Sequence, residues 1–328
     1  MNALLKYRYF ILRRDKMKTY KPGFLFKLGD VNTVYPTFFR NVKVNYERER
    51  LELKDGDFLD IDRIKNGNKK TAVLCHGLEG SSNSNYIRAA ASFLSKNGFD
   101  ITAVNYRSCS GELNRLPKFY HAGATDDLKE IINHIEPEYD EVYLIGYSLG
   151  ANLVLKYLGV DAGKDKKLKA GVAISCPLDL YDSSFTLNKR RNYVYRMKFI
   201  LSFRKKIKEK HRLMPDKINI DGIDKMTDFN EMDNRYTAKL NGFKDAEDYY
   251  KRESAINFLP DIKVPALIIN AKDDPILSNK CYPKHLKKIN ENLNVLYPKY
   301  GGHVGFAKFN KDYYWTDYKV LDFFRRVG

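Results

Sequence analysis

The sequence predicts an α/β fold: a mostly parallel central sheet flanked by helices, opened by an antiparallel hairpin and interrupted by a helical insertion. Two features of the chain carry that reading. From residue 71 onward short apolar runs alternate with runs of helical periodicity, and strands joined by helical crossovers must pair in parallel. The rhythm then stops between about Pro177 and Pro260, a stretch rich in charge and aromatics without clear strands, and resumes at residue 265. With 328 residues, 43% of them hydrophobic, the chain is long enough for one large domain carrying an inserted subdomain.

Taken in order, residues 50–53 and 58–64 alternate apolar and polar side chains around Lys54-Asp55-Gly56-Asp57, whose Asp-Gly pair suits a hairpin turn. Residues 71–75 predict the next strand, 86–96 a helix closed by Asn97-Gly98, and 100–105 another strand. A helix over 126–135 carries Asp126 and Asp127 in its first turn, where the macrodipole favours negative charge. Strand 141–146, helix 151–158 and strand 170–175 continue the alternation. After the insertion, strand 265–270, helix 280–289, strand 293–297 and an amphipathic helix around 316–326 complete the chain. The expected division is residues 1–45 as an N-terminal extension packing on the core, 46–176 with 261–328 as the principal α/β domain, and 177–260 as a helical cap. In such a sheet, functional side chains gather at the C-terminal edge of the strands.

Composition removes several function classes. Cys75, Cys109, Cys176 and Cys281 are far apart and share no metal-ligand spacing with histidine, so a zinc site is not expected, and the thiols should be free in a reducing compartment. Between Leu4 and Leu12 the apolar residues are broken by Lys6 and Arg8, too short and too charged a run for a signal or spanning helix. A cytoplasmic location follows as an expectation, with Met17 a second candidate start. The formal net charge of +17 attracts anionic surfaces, but no nucleic-acid-binding motif accompanies it and nucleic acid is not expected as a partner.

Gly146-Tyr147-Ser148-Leu149-Gly150 is a G-x-S-x-G pentapeptide between an apolar strand and a helical run. That strand–turn–helix setting is the nucleophile elbow of the α/β-hydrolase fold, in which glycines let a strained serine turn fit between its neighbours. A serine hydroxyl needs a histidine to take its proton and a carboxylate to orient that histidine, in the chain order Ser, acid, His. Of the histidines after Ser148, His211 lies in a basic run and His285 in a predicted surface helix. His303 instead sits in the glycine-rich loop Tyr300-Gly301-Gly302-His303-Val304-Gly305 after the last strand, which makes it the candidate base. Two acids compete in the preceding loop, Ala271-Lys272-Asp273-Asp274-Pro275-Ile276. The offset from the strand end and the following proline favour Asp274 as the orienting acid, with Asp273 as a loop stabiliser.

Acyl transfer also needs donors aimed at the developing oxyanion. His76-Gly77-Leu78-Glu79-Gly80-Ser81-Ser82 follows the strand over 71–75, where this fold supplies one backbone N–H. Leu78 is the candidate for that donor and Leu149 for the other; His76 reads as a loop-shaping hydrogen bonder.

These segments together resemble the YheT-like α/β hydrolases of bacteria and their eukaryotic abhydrolase-domain relatives. The resemblance rests on Tyr46-Glu47-Arg48-Glu49-Arg50-Leu51, Asp55-Gly56-Asp57-Phe58, the His76 loop, Asn105-Tyr106-Arg107-Ser108-Cys109-Ser110-Gly111-Glu112, Tyr120-His121-Ala122-Gly123, the serine pentapeptide, Asp273-Asp274-Pro275 and Gly301–Phe306. It implies a serine esterase or lipase-like hydrolase of carboxylic esters, lipid esters among them, with a triad on Ser148, Asp274 and His303 and no cofactor. One departure is Ser108, which stands where the family pattern has glycine; it touches a loop near the pocket and puts the shape of the substrate in doubt rather than the reaction class. Arg107, Glu112 and His121 line the pocket or, on the favoured reading, brace loops.

Lysines and arginines dominate from Lys189 to Arg212, while Tyr193, Met197, Ile200, Leu201, Phe203 and Ile207 fall at approximate helical spacing. The favoured reading is a cap helix with solvated charges; the alternative is peripheral contact with an anionic membrane. Two further functions stay open: thioester or amide hydrolysis on the same triad, and a non-catalytic, membrane-associated binding protein.

Overall fold

The computed structural model describes residues 19–161, 163, 166–284 and 286–328. The expectations for the opening stretch from Leu4 to Met17 and for His285 lie outside them. Eight strands form one sheet in the order β1-β2-β4-β3-β5-β6-β7-β8. They are β1 (Glu47–Glu52), β2 (Phe58–Ile64), β3 (Lys70–Cys75), β4 (Asp100–Asn105), β5 (Glu141–Tyr147), β6 (Leu168–Ile174), β7 (Ala266–Ile269) and β8 (Leu293–Leu296). Strands β1 and β2 form the predicted hairpin, with Gly56 at φ +83° in its turn, and β2 joins β4 antiparallel; β3 to β8 are parallel.

The six parallel strands are apolar almost throughout because both faces are covered. One face packs Val73, Leu144 and Ile268 with the helices α3 (Thr125–Ile135) and α4 (Leu149–Val160). The other packs Leu74, Ile145 and Ile269 with α2 (Asn85–Ser95) and the C-terminal α8 (Trp315–Val327). Before the hairpin stands a helix, α1 (Gly29–Phe39), inside the stretch for which the sequence predicts only an extension packing on the core and no helix. Residues 19–45 lie against the C-terminal part of the chain: the Tyr20 hydroxyl donates to the Ala307 carbonyl at 2.6 Å, and Phe26 packs with Ala307 and Tyr314.

Between β6 and β7 the chain forms no strand. It folds into α5 (Leu180–Asn188), the long α6 (Tyr193–Leu213), short helical turns and α7 (Ala246–Glu253). A second core forms there from Ile200, Phe203, Ile207, Met226, Met232 and Tyr236. The return to the sheet is stitched by Asn152 of α4, whose amide donates to the carbonyls of Ala122 and Glu253 and accepts from the N–H of Ala255. One expected element is replaced. Instead of a helix over 280–289 there is a 3-10 turn at Asn279–Cys281 and a single α-turn at Leu286–Ile289, because Pro283 between them can neither donate its N–H nor let its predecessor stay helical.

Candidate active site

The turn at Ser148 is shaped by close backbone approaches. Ser148 has φ +53° and ψ −118°, at the end of β5 and immediately before α4. A Cβ on Gly146 would stand 2.1 Å from the Gly150 carbonyl oxygen, and one on Gly150 would stand 2.4 Å from that of Cys75, so neither position admits a side chain. The serine is thereby pushed out over the sheet edge, at the N-terminus of α4.

His303 reaches the serine from the loop after β8. Its Nε2 is 2.8 Å from Ser148 Oγ and its Nδ1 is 2.9 Å from Asp274 Oδ2. Asp274, fully buried, also accepts from the N–H groups of Ile276 and Leu277 through Oδ1. The structure therefore brings Ser148, His303 and Asp274 into one hydrogen-bonded chain, although 155 positions separate the serine from the histidine. Asp273 stays apart from the imidazole: its Oδ1 accepts the Gly302 N–H at 2.9 Å, and burial raises its pKa above the usual carboxylate range.

The histidine loop is held from the other end of the chain, a feature sequence reasoning missed. The His303 N–H donates to Thr33 Oγ1 at 2.8 Å, and that hydroxyl donates to the Gly29 carbonyl at 2.7 Å. Gly302, at φ +57°, fits so closely that a Cβ would stand 2.4 Å from the Gly29 oxygen. Asn32 accepts the Ala307 N–H, and the Val304 N–H goes to Ser175 Oγ.

Leu78 and Leu149 flank the same space as Ser148 and His303. The loop carrying Leu78 touches the turn at Ser148, since a Cβ on Gly77 would stand 3.1 Å from Ser148 Cβ. Neither leucine N–H has a hydrogen-bond partner among the described residues, so both donors are free. His76 is fully buried: Nε2 accepts the Tyr106 N–H, which leaves the proton on Nδ1 to donate to the Gly77 carbonyl. Burial pushes its pKa down to about 3, so it is a neutral brace for the loop.

A cavity of about 780 Å³, its open mouth included, begins at Ser148 and His303 and runs under the helices inserted after β6. Its walls are mainly apolar, with Leu187, Phe199, Phe203, Phe229, Met232 and Ile276 on one side. His121 lines it too, with burial lowering its pKa to about 3. Arg107 braces loops instead, bound to Asp55, Asp57 and Asp127, and Glu112 pairs with Arg50 at the surface. Ser108 takes the left-handed conformation, φ +63°, that a glycine would favour, and its hydroxyl bonds to Asn114. It does not border the cavity, so its direct effect is on this neighbouring network.

The basic run is also corrected in part. On α6 the inner face is Ile200, Phe203, Ile207 and Lys210, whereas Tyr193 and Leu201 fall out of phase and are exposed. Its charges are not all solvated: Lys206 binds Glu79, and Lys210 is buried against Asn114 Oδ1 and the Lys118 carbonyl. Among the described residues no cluster of three or more His, Cys, Asp or Glu is placed to hold a metal ion, and no helix is long and apolar enough to cross a membrane.

Comparison with known proteins gives a consistent picture. Residues 71–308 match the family model of the alpha/beta hydrolase fold. The chain is 33% identical over 285 residues to the Escherichia coli (strain K12) protein named "Putative esterase YheT", covering 84% of this chain and 83% of that one. It is 29% identical to phospholipase ABHD3 of Bos taurus, over 81% of this chain and 67% of that one. Among solved structures, the Pyrococcus furiosus esterase Pf2001 superposes with a TM-score of 0.58 at 20% identity, covering 88% of this chain and 99% of that one, a likeness of fold.

Proposed function

The chain belongs to the α/β-hydrolase family, and from that premise we propose that it is a serine hydrolase of carboxylic esters, lipid esters among them. The observation that carries this reading is the hydrogen-bonded chain Ser148–His303–Asp274 at the mouth of an apolar cavity. Ser148 Oγ attacks the ester carbonyl carbon while His303 Nε2 takes the hydroxyl proton, and Asp274 holds the imidazole by Nδ1–H and stabilises its charged form. The N–H groups of Leu78 and Leu149 donate to the oxyanion. Collapse breaks the bond to the alcohol, which leaves with the proton from His303, and the acyl group remains on Ser148. Water, deprotonated by His303, then releases the acid. The segment over 177–260 acts as a cap whose apolar wall accepts the acyl chain. A screen of acyl esters graded in chain length, run beside Ser148→Ala and a fluorophosphonate probe, tests the proposal. Turnover and labelling that both require Ser148 support it; turnover surviving in Ser148→Ala removes the serine from the reaction. Thioesters and amides in the same screen reveal whether another leaving group is preferred, since fold and triad do not fix it.

A second reading concerns the outer face of α6, where Tyr193, Val194 and Leu201 are 53%, 76% and 54% exposed among the basic residues from Lys189 to Arg212. That combination suits a peripheral contact with an anionic membrane, which would deliver lipid esters beside the cavity. Co-sedimentation with anionic but not neutral vesicles, weakened by salt and by Val194→Asp, is the expected result.

A further inference from the structure

Gly77 O accepts the Gly80 N–H at 3.0 Å and closes a four-residue turn with Leu78 and Glu79 at its centre. Glu79 sits at φ +54°, a conformation in which glycine is preferred at this turn position. A non-glycine residue persists there when its surroundings over-determine it. The surroundings of Glu79 do so. Its N–H donates to the Tyr120 hydroxyl at 2.7 Å, and that hydroxyl donates back to Glu79 Oε1 at 2.8 Å. Two further donors come from one face of α6: Ser202 Oγ lies 2.5 Å from Oε2, and Lys206 Nζ lies 3.0 Å from Oε1. Ser202 and Lys206 are four residues apart, one helical turn, and Phe203 beside them packs on Phe119, which lies outside the insertion, with ring centroids 5.1 Å apart.

We propose that this latch makes Glu79, Ser202 and Lys206 positioning residues: seated on Glu79, helix α6 holds the turn that aims the Leu78 N–H at the oxyanion. The inference rests on the serine-hydrolase reading, in which Leu78 supplies that donor. The cap then has two tasks, walling the cavity and completing transition-state stabilisation, and a cap displaced from Glu79 leaves a site that binds ester but turns it over slowly. The two bonds that Glu79 makes with Tyr120 are not enough alone, because the carboxylate also faces α6 and accepts there from Ser202 and Lys206.

Steady-state kinetics on a soluble short-chain ester test this with Glu79→Ala, Glu79→Gly and the double variant Ser202→Ala/Lys206→Met. Glu79→Ala is expected to lower kcat by about tenfold to a hundredfold, less than outright removal of an oxyanion donor, with KM within about threefold. Affinity for an alkylboronic acid, whose tetrahedral adduct on Ser148 occupies the same donors, should fall in proportion. Glu79→Gly should regain part of the loss, because glycine adopts the positive φ unaided. In that background Ser202→Ala/Lys206→Met should cost little more, whereas in the wild type it should cost most of what Glu79→Ala does. Equal losses in the alanine and glycine variants, a loss confined to KM, or boronate affinity that stays constant while kcat falls would each overturn the proposal. Should Glu79→Ala fail to fold by circular dichroism, the Ser202→Ala/Lys206→Met pair, which leaves the turn sequence intact, decides alone on the same readouts. A wild type without Ser148-dependent turnover overturns the serine-hydrolase reading together with this one; an active wild type with indifferent variants overturns only the latch.

Discussion

Asp273 and Asp274, neighbours in sequence, bind different atoms of the same loop: Asp274 Oδ2 lies 2.9 Å from the His303 imidazole, and Asp273 Oδ1 accepts the Gly302 N–H at 2.9 Å. One carboxylate holds the imidazole and the other shapes the turn that carries it; on the proposed mechanism the first is the orienting acid.

Asp274→Asn should therefore lose about 10³-fold or more in kcat, because an amide can hold the wrong imidazole tautomer and cannot stabilise the imidazolium. Asp273→Asn keeps an oxygen to accept the Gly302 N–H and removes a carboxyl whose charge burial disfavours, so its kcat should stay within about tenfold and its melting temperature close to wild type. Initial rates on one short-chain ester, with circular dichroism, rank the two; the reverse order transfers the orienting role to Asp273.

His303→Ala should retain the fold yet lose about 10³-fold or more in turnover, since the members of a triad act as a unit. Near-normal rates in that variant would move the base elsewhere.

The grip of α1 on the histidine loop gives a further pair. Thr33→Val leaves the His303 N–H without its acceptor and should lower kcat by about tenfold to a hundredfold through misplacement of the imidazole. Gly302→Ala should be worse, because it forces a Cβ against the Gly29 carbonyl at a positive φ. A Thr33→Val enzyme with unchanged kcat and a lowered melting temperature would reduce α1 to a structural strut.

Lys210 supplies a pH dependence. Burial, with Arg107 and Lys206 nearby, lowers its pKa to about 7 against the opposing pull of Asp57. Between pH 7 and the unfolded value near 10.4, the unfolded chain holds a proton that the folded one has released, so folding is favoured as pH rises through that window. Below pH 7 both states are charged and the cost of burying the ammonium is present in full. Relative to Lys210→Met, the wild type should gain stability from pH 7 to pH 9 by up to about 1.4 kcal/mol per pH unit. Urea midpoints at several pH values measure it, and parallel curves for the two proteins would show that the oxygen acceptors around Nζ, Asn114 Oδ1 and the carbonyls of Pro117 and Lys118, keep the amine charged.

Much of the site was legible in the sequence because its residues sit in locally patterned surroundings. The elbow announces itself through Gly146 and Gly150, whose lack of side chains is required by contacts only 2.1 and 2.4 Å deep. His303 stands out by its glycines, and the offset from β7 with the following Pro275 favours Asp274, the carboxylate that hydrogen-bonds the imidazole. What stayed hidden depends on partners distant in the chain. Helix α1 carries Pro36 in its interior and lacks a capping side chain at Leu28, so its pattern reads as irregular, and only tertiary contacts reveal that Thr33 serves His303. Glu79 looked like one polar residue in a glycine-rich loop until Tyr120, Ser202 and Lys206 closed around it. On α6, Ile200, Phe203, Ile207 and Lys210 follow the period of a packed face, but the two apolar residues out of phase, Tyr193 and Leu201, blurred it.

The hydrogen bond between Thr33 and His303 joins residues 270 positions apart, and that has a consequence in time. At synthesis rates of about 5–20 residues per second, Thr33 leaves the ribosome well before its partner is made. The turn at Ser148 and most of the parallel sheet can form while the histidine loop is still unmade; α1 can already take the Asn85 amide on its Pro36 and Thr37 carbonyls, but Thr33 has no loop to hold until the last strand and the residues after it have emerged. On the serine-hydrolase proposal, a growing chain therefore carries Ser148 without its base, and hydrolytic competence waits until the segments around Thr33 and His303 meet.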